Sequence, residues 1–248
     1  MSQTESVRLS KRLAEQQSCS RREAELYIEA GHVQVDGQVV LVPGTHIGPD
    51  QQIRLAPGAK AEAIPPVTLL LHKPAGHEAG PDGNAASLAP LLSPATQSPD
   101  DRSGIRPLKK HFSSVELVTP LATPASGLVV LTQDWRVTRK LREDARVMEH
   151  EVVVDVSGDI KPGGLDRLNR VDHGFTHNGV LLPPAKVSWQ NETRLRFALK
   201  GEVPGQIAYM CESVGLKVEG MKRLRIGRVA MSQLQPGQWR YLLPHERF

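Results

Sequence analysis

The side chains of this chain best placed to do chemistry are cationic, and the chemistry they suit is phosphate recognition. Arg8, Lys11 and Arg12 open one helical pattern, and Arg21 and Arg22 open a second. At a helix start, side-chain charge adds to free backbone N–H groups, and both favour phosphate. From Met221 to Phe248 the basic residues are Lys222, Arg223, Arg225, Arg228, Arg240 and Arg247, with Glu246 the only acid. Another basic run is Arg136, Arg139, Lys140 and Arg142. Metal chemistry is poorly served. His173 and His177 have the spacing of two ligands on a helix, but Gly174 between them and Asn178-Gly179 after them read as a turn. Cys19 and Cys211 lie too far apart for a zinc pair or a disulfide framework, so two reduced thiols are expected. Among carboxylates, Glu116, Asp134 and Glu149 flank Pro120–Thr132, a segment with no ionisable side chain of its own.

The elements that must hold the first cationic groups are compact. Leu9, Leu13 and Ala14 mark the apolar face of a short helix. Ser20-Arg21-Arg22-Glu23 is a capping box, in which the serine accepts from a backbone N–H three residues on and the glutamate reaches back. The helix it opens carries Ala24, Leu26, Tyr27, Ile28 and Ala30 and stops at Gly31, which tolerates a positive φ. Val33-Gln34-Val35 and Val39-Val40-Leu41 flank Asp36-Gly37, a hairpin signal, and Gln52–Leu55 supplies a last short strand. This order, with Arg8–Leu13, Ser20–Ala24 and Ile28–Gly37, resembles the S-four (alpha-L) RNA-binding module over nearly its whole length.

Composition is that of a globular protein, with 39% AVILMFWYC, 23% charged residues and a net charge of +4. The pI near 9.2 suits a nucleic-acid partner. Aromatic residues make up only 4%, which argues against a surface that stacks base after base on rings. No apolar run approaches the roughly 18 residues that span a bilayer. The polar start Met1–Ser6 carries no apolar segment, so no secretion signal and no membrane partner are expected. Pro57–Pro66 has linker composition, and beyond it the patterning turns to strands. These begin with Val67–Leu71 and continue at Glu151–Val156 and Leu195–Leu199, with a helix near Gln206–Val214 and strands near Leu224 and Met231. Residues 80–103, rich in Gly, Pro, Ser and Asp, read as a long mobile loop.

This second part resembles the ribosomal RNA pseudouridine synthases of the RsuA-like branch. His72-Lys73-Pro74-Ala75-Gly76 is similar to that family's Asn-Lys-Pro-x-Gly, and Ser126–Thr132 keeps the frame of its Arg-Leu-Asp-x-x-Thr-Ser-Gly-Leu strand. The family detaches uracil from C1′ of its ribose, rotates it and rejoins it through C5, with one aspartate indispensable and the target nucleotide flipped out of its helix. Ala122 stands at the aspartate position, Pro120 at that of its arginine, and Ala125 at that of a threonine. Glu149-His150-Glu151-Val152 is similar to Glu-Lys-Glu-Tyr, with Val152 at the position of the ring that packs on the base. Gly205-Gln206-Ile207-Ala208-Tyr209-Met210 is similar to Arg-Gln-Ile-Arg-Arg-Met without its three arginines. Of the flanking acids, Asp134 reads as a helix cap and Glu116 is six residues from Ala122, so neither is expected to substitute.

The resemblance implies an α+β protein. A disordered stretch at 1–6 precedes an S-four-like domain at 7–56 and a linker at 57–66. A pseudouridine-synthase-like domain at 67–248 has a mixed, largely antiparallel sheet flanked by helices. The expected function is binding of structured RNA, ribosomal RNA or a ribosome precursor, by a cytoplasmic monomer that needs no cofactor or metal and does not isomerise uridine. The expected contacts are Arg8, Lys11, Arg12, Arg21, Arg22, Lys73, Lys222, Arg223 and Arg225. Two other readings stay open: an active synthase using another carboxylate, and a protein-interaction scaffold with incidental RNA affinity.

Overall fold

The computed structural model describes residues 6–80, 86–170, 175–177, 179–201 and 203–248, with backbone alone at 177 and 180. It forms two compact units, Met1–Pro66 with Arg106–Ser113, and Val67–Ile105 with Ser114–Phe248. Apart from Ser6, the stretch expected to be disordered lies outside the described residues.

In the first unit β1 (Val7–Arg8) leads into α1 (Leu9–Gln17), α2 (Arg21–Glu29), β2 (Val33–Val35), β3 (Gln38–Val39), β4 (His46–Ile47) and β5 (Ile53–Leu55). The i, i+4 pairs Leu9/Leu13 and Ala24/Ile28 put one apolar face on each helix, and these meet Val33, Val35, Ile47 and Ile53 in a single core. The capping box is complete: Glu23 N donates to Ser20 Oγ and Ser20 N to Glu23 Oε2. Asp36 and Gly37 take φ of 50° and 82°, the left-handed pair that turns β2 back onto β3. Arg106–Ser113, far along the chain, joins this unit through a 3.0 Å ion pair between Lys110 and Glu29. Linear domain boundaries cannot include such a return.

In the second unit β6 (Thr68–Lys73), β7 (Glu116–Leu117), β8 (Ser126–Thr132), α3 (Trp135–Glu143), β9 (Glu149–Ser157) and α4 (Gly164–Leu168) come first. The small hairpin β10 (Thr176–His177) and β11 (Val180–Leu181) follows, then β12 (Ala185–Asn191), β13 (Arg194–Lys200), α5 (Gln206–Ser213), β14 (Lys217–Ile226), β15 (Val229–Ala230) and β16 (Trp239–Tyr241). The main sheet runs β12-β13-β9-β14-β8-β6-β16, and along that path only β14 with β8 is parallel. Ile207, Met210 and Cys211 of α5 pack on Val152, Val154 and Phe197 of the sheet. Val137 and Leu141 of α3 cover Leu70, Leu128 and Val130. This is the mixed, largely antiparallel α+β architecture expected. No helix among the described residues is long and apolar enough to cross a membrane.

The loop expected to be mobile is tied down over its described part, residues 86–103. Leu88 is fully buried. Trp239 Nε1 donates to Ser93 O at 2.8 Å, Ser98 N to Trp239 O at 2.8 Å, and Tyr241 N to Asp101 Oδ2 at 2.9 Å. Pro and Ser there serve two 3-10 turns, Ala86–Leu91 and Pro94–Thr96, that dock on the edge strand β16.

Strand register sets the site. Lys73 of β6 is level with Gly127 of β8, Gly127 with Arg223 of β14, and Arg223 with Val152 of β9. Phe197 of β13 and Val187 of β12 extend the same row. Residues level across a sheet project from one face, so Lys73, Arg223 and Val152 share theirs.

Candidate functional site

Gly127 opens a notch in that row. Its φ is +118°, and a Cβ there would lie 2.3 Å from the Arg223 backbone oxygen and 2.4 Å from its nitrogen. Only a residue without a side chain lets β8 and β14 run this close. The two long cations beside the notch turn to the loop that enters β8. Arg223 is 3% exposed and donates from Nε to Leu128 O at 2.8 Å, and from its terminal nitrogens to Thr119 O at 2.7 Å and Pro120 O at 3.1 Å. Lys73 is fully buried, and its Nζ donates to Pro74 O, His77 O and Thr123 O at 3.1, 2.8 and 3.2 Å. All three ammonium hydrogens are therefore on carbonyls. Burial first, and Arg223 second, bring this ammonium down to about 8.

Ala122 sits at the crest of the loop so held. It is exposed, as are Pro120, Thr123 and Pro124, and its carbonyl accepts from Ala125 N at 3.0 Å. The side chain at the crest is a methyl, which can neither attack carbon nor carry a proton. Val152, at the position of the expected ring, is 3% exposed and packs in the core with Ile207 and Met210. Tyr209 lies edge-on to Phe175, ring centroids 6.2 Å apart.

The flanking carboxylates are engaged elsewhere. Glu116 bonds Thr138 and pairs with Arg142. Asp134 caps α3, accepting from Arg136 N at 2.9 Å. Glu149 and Glu151 hold Arg225 at 2.6 and 3.1 Å, and Arg196 adds a 2.9 Å pair to Glu151. The hydrogen bond from Arg225 keeps Glu149 below the usual carboxylate range, and those from Arg196 and Arg225 keep Glu151 low against its burial. One acid escapes sequence reasoning. Ala79 bridges Leu121, with Leu121 N donating to Ala79 O at 2.9 Å, and this brings the exposed Glu78 alongside the loop. More than forty positions separate Glu78 from Ala122, and no local pattern links them.

The expected phosphate contacts fall into three groups. Arg8, Lys11, Arg21 and Arg22 are exposed in the first unit, the last two in 3.5 Å pairs with Glu25. Arg12, from the same helix start, is turned inward and donates to Gly48 O and Pro49 O. Lys73 and Arg223 are corrected from surface contacts to interior ones, because the carbonyls of the loop need their donors. Lys222 is half-buried beside Ser126, in reach of buried His72, whose Nδ1 is 2.7 Å from Leu234 O. Burial holds His72 below its ordinary value against that carbonyl, and Lys222 acts in the same downward sense. A bulge between Arg223 and Arg225 separates the last two cations, and Arg225 goes to its glutamates. No group of three or more His, Cys, Asp or Glu among the described residues is placed to hold a metal. The side chains of His173 and His177 lie outside those residues.

Comparison with known proteins shows what the two units are similar to. The S4 domain family matches residues 7–53. The dual-specificity RNA pseudouridine synthase RluF of Escherichia coli K12 is 28% identical over 245 residues, covering 97% of this chain and 77% of the relative. The ribosomal large subunit pseudouridine synthase B of Bacillus subtilis 168 is 27% identical over 249 residues, 96% of this chain and 93% of the relative. A solved pseudouridylate synthase shares the fold with a TM-score of 0.57 at 19% identity, over 95% of this chain and 96% of the other. The chain is a homologue of the RluF/RsuA-type ribosomal RNA pseudouridine synthases, with an S4 domain at its N-terminus.

Proposed function

We propose that this chain binds structured RNA, ribosomal RNA or a ribosome precursor, and does not convert uridine to pseudouridine. The observation that carries the second part is the methyl of Ala122 at the exposed crest of the loop fastened by Lys73 and Arg223. Support also comes from Val152, whose side chain has no ring to stack on a base, and from Gly205, Ala208 and Tyr209, where the family's arginines would stand. RNA binding rests on the S4 match, on the exposed Arg8, Lys11, Arg21 and Arg22, and on relatives named for acting on RNA. The working form in this reading is a cytoplasmic monomer. Its two thiols fit a reducing compartment, Cys211 being buried and pushed up to about 12 by that burial.

The names of the relatives favour a second reading, an active synthase, and Glu78 is the carboxylate on which it would depend. Tritium release from RNA labelled at uridine C5 separates the two. The expected result is background release by the native chain and by Ala122→Asp. Residue 122 is exposed, so the variant will fold, but it still lacks the ring and the arginines. Site-specific release by the native chain, lost in Glu78→Gln, would establish the active reading instead.

A further inference from the structure

Helix α3 carries a feature that the S4 unit and the loop at Ala122 do not use. Trp135, its first residue, is 65% exposed, while Trp239 is fully buried. Aromatic residues are only 4% of this chain, so an indole left in water on a helix is notable. The helix is anchored by Val137 and Leu141, and this fixes which side faces solvent. At 100° per residue the direction opposite Val137 and Leu141 is taken by Trp135 and Arg139, with Glu143 and Arg136 on one side of them and Arg142 on the other. All five are exposed.

The charge of this face is matched to an anion. From Asp134 to Val147 there are five basic residues against three acidic ones. Arg139 pairs with Glu143 at 3.1 Å, Lys140 with Asp144, and Arg142 with Glu116. Arg139 and Glu143 are each more than 60% exposed, and such surface pairs stabilise by about 0–1 kcal/mol, so a phosphate can displace them. A flat indole beside guanidinium groups suits one unstacked base with phosphates on either side. The helix begins beyond the far end of β8. Five residues at about 3.3 Å each put that end about 16 Å from Gly127.

We propose that α3 is a second RNA contact of this chain, in which Trp135 stacks on one base of a single-stranded segment and Arg136, Arg139 and Arg142 take the adjoining phosphates. The inference rests on the reading that the chain binds RNA. The test uses the full chain and two probes, an RNA hairpin with single-stranded oligouridylate tails at both ends and the same hairpin blunt-ended. Trp135→Ala should weaken binding of the tailed hairpin about tenfold and leave the blunt one within twofold, while Trp135→Phe should retain most of the affinity. Arg139→Gln with Arg142→Gln should lower the salt dependence of tailed binding by one to two ion equivalents. The tailed probe should also quench native indole emission more than that of Trp135→Phe. Native-like circular dichroism of each variant ensures that a loss is local.

Equal affinity of native protein and Trp135→Ala for the tailed probe, with no difference in quenching, would overturn the inference and leave this face to a protein partner. In that case Arg21→Gln with Arg22→Gln would still weaken both probes. No binding of either probe by the native chain would overturn the RNA-binding reading as well.

Discussion

A lysine ammonium out of water needs dipoles in place of its hydration, and the carbonyls of Pro74, His77 and Thr123 supply them to Lys73. They do so incompletely, as the drop to about 8 records. The consequence for stability has a definite sign. The unfolded lysine keeps its proton to about 10.4, and the folded one releases it near 8. Between those values the unfolded chain binds more protons, so stability rises with pH, whereas below 8 the buried charge is a net cost. Lys73→Met removes the titration. The unfolding free energy of the native protein minus that of the variant should therefore grow between pH 7 and pH 11, by at most about 3 kcal/mol, in urea titrations at stepped pH. A flat difference would mean that the amine is hydrated in the folded state. Little of this was readable beforehand. Lys73 and Arg223 look in sequence like any cations near strand ends, and only strand register shows that they meet over Gly127. That residue 122 carries only a methyl needs no geometry to read, whereas its exposure at the crest of the loop does.

At the scale of elements, β8 and β14 carry the largest structural demand. Parallel pairing of Lys222 with Ser126 and Arg223 with Gly127 joins the two halves of the sheet, and Gly127 permits it. Gly127→Ala places a Cβ within 3 Å of three Arg223 backbone atoms and imposes a positive φ on an L-residue. The expected loss is about 3 kcal/mol or more, read as a lowered midpoint in chemical denaturation at unchanged slope. A loss under 1 kcal/mol would mean that the strands can separate there without penalty. Elements set by local chemistry were the ones the sequence announced: the capping box at Ser20, the turn at Asp36-Gly37, the cap at Asp134. The docked loop at 86–103 was not among them. Its Pro and Ser content reads as mobility, while its order comes from Trp239 and Tyr241, some 140 positions away.

At the scale of the whole molecule, the shared fold is carried by its interior. Core positions answer to volume and register, and Val152, Val154 and Phe197 satisfy both whether or not uridine is processed. The distribution of charge acts on a partner from the surface, and salt dependence measures it. Arg21 and Arg22 pair with Glu25 only at 3.5 Å and in water, so their guanidinium groups can exchange that partner for phosphate at small cost. Arg21→Gln with Arg22→Gln should then reduce the slope of log affinity against log salt by up to about two units for a duplex-containing RNA. Arg12→Gln provides the contrast. Arg12 holds the carbonyls of Gly48 and Pro49, so its loss should lower the melting temperature and leave the slope nearly unchanged. If the slope instead fell with Arg12→Gln and not with the Arg21 and Arg22 pair, the phosphate would lie on the β4 side of the unit, and the contact built on the start of α2 would have to be abandoned.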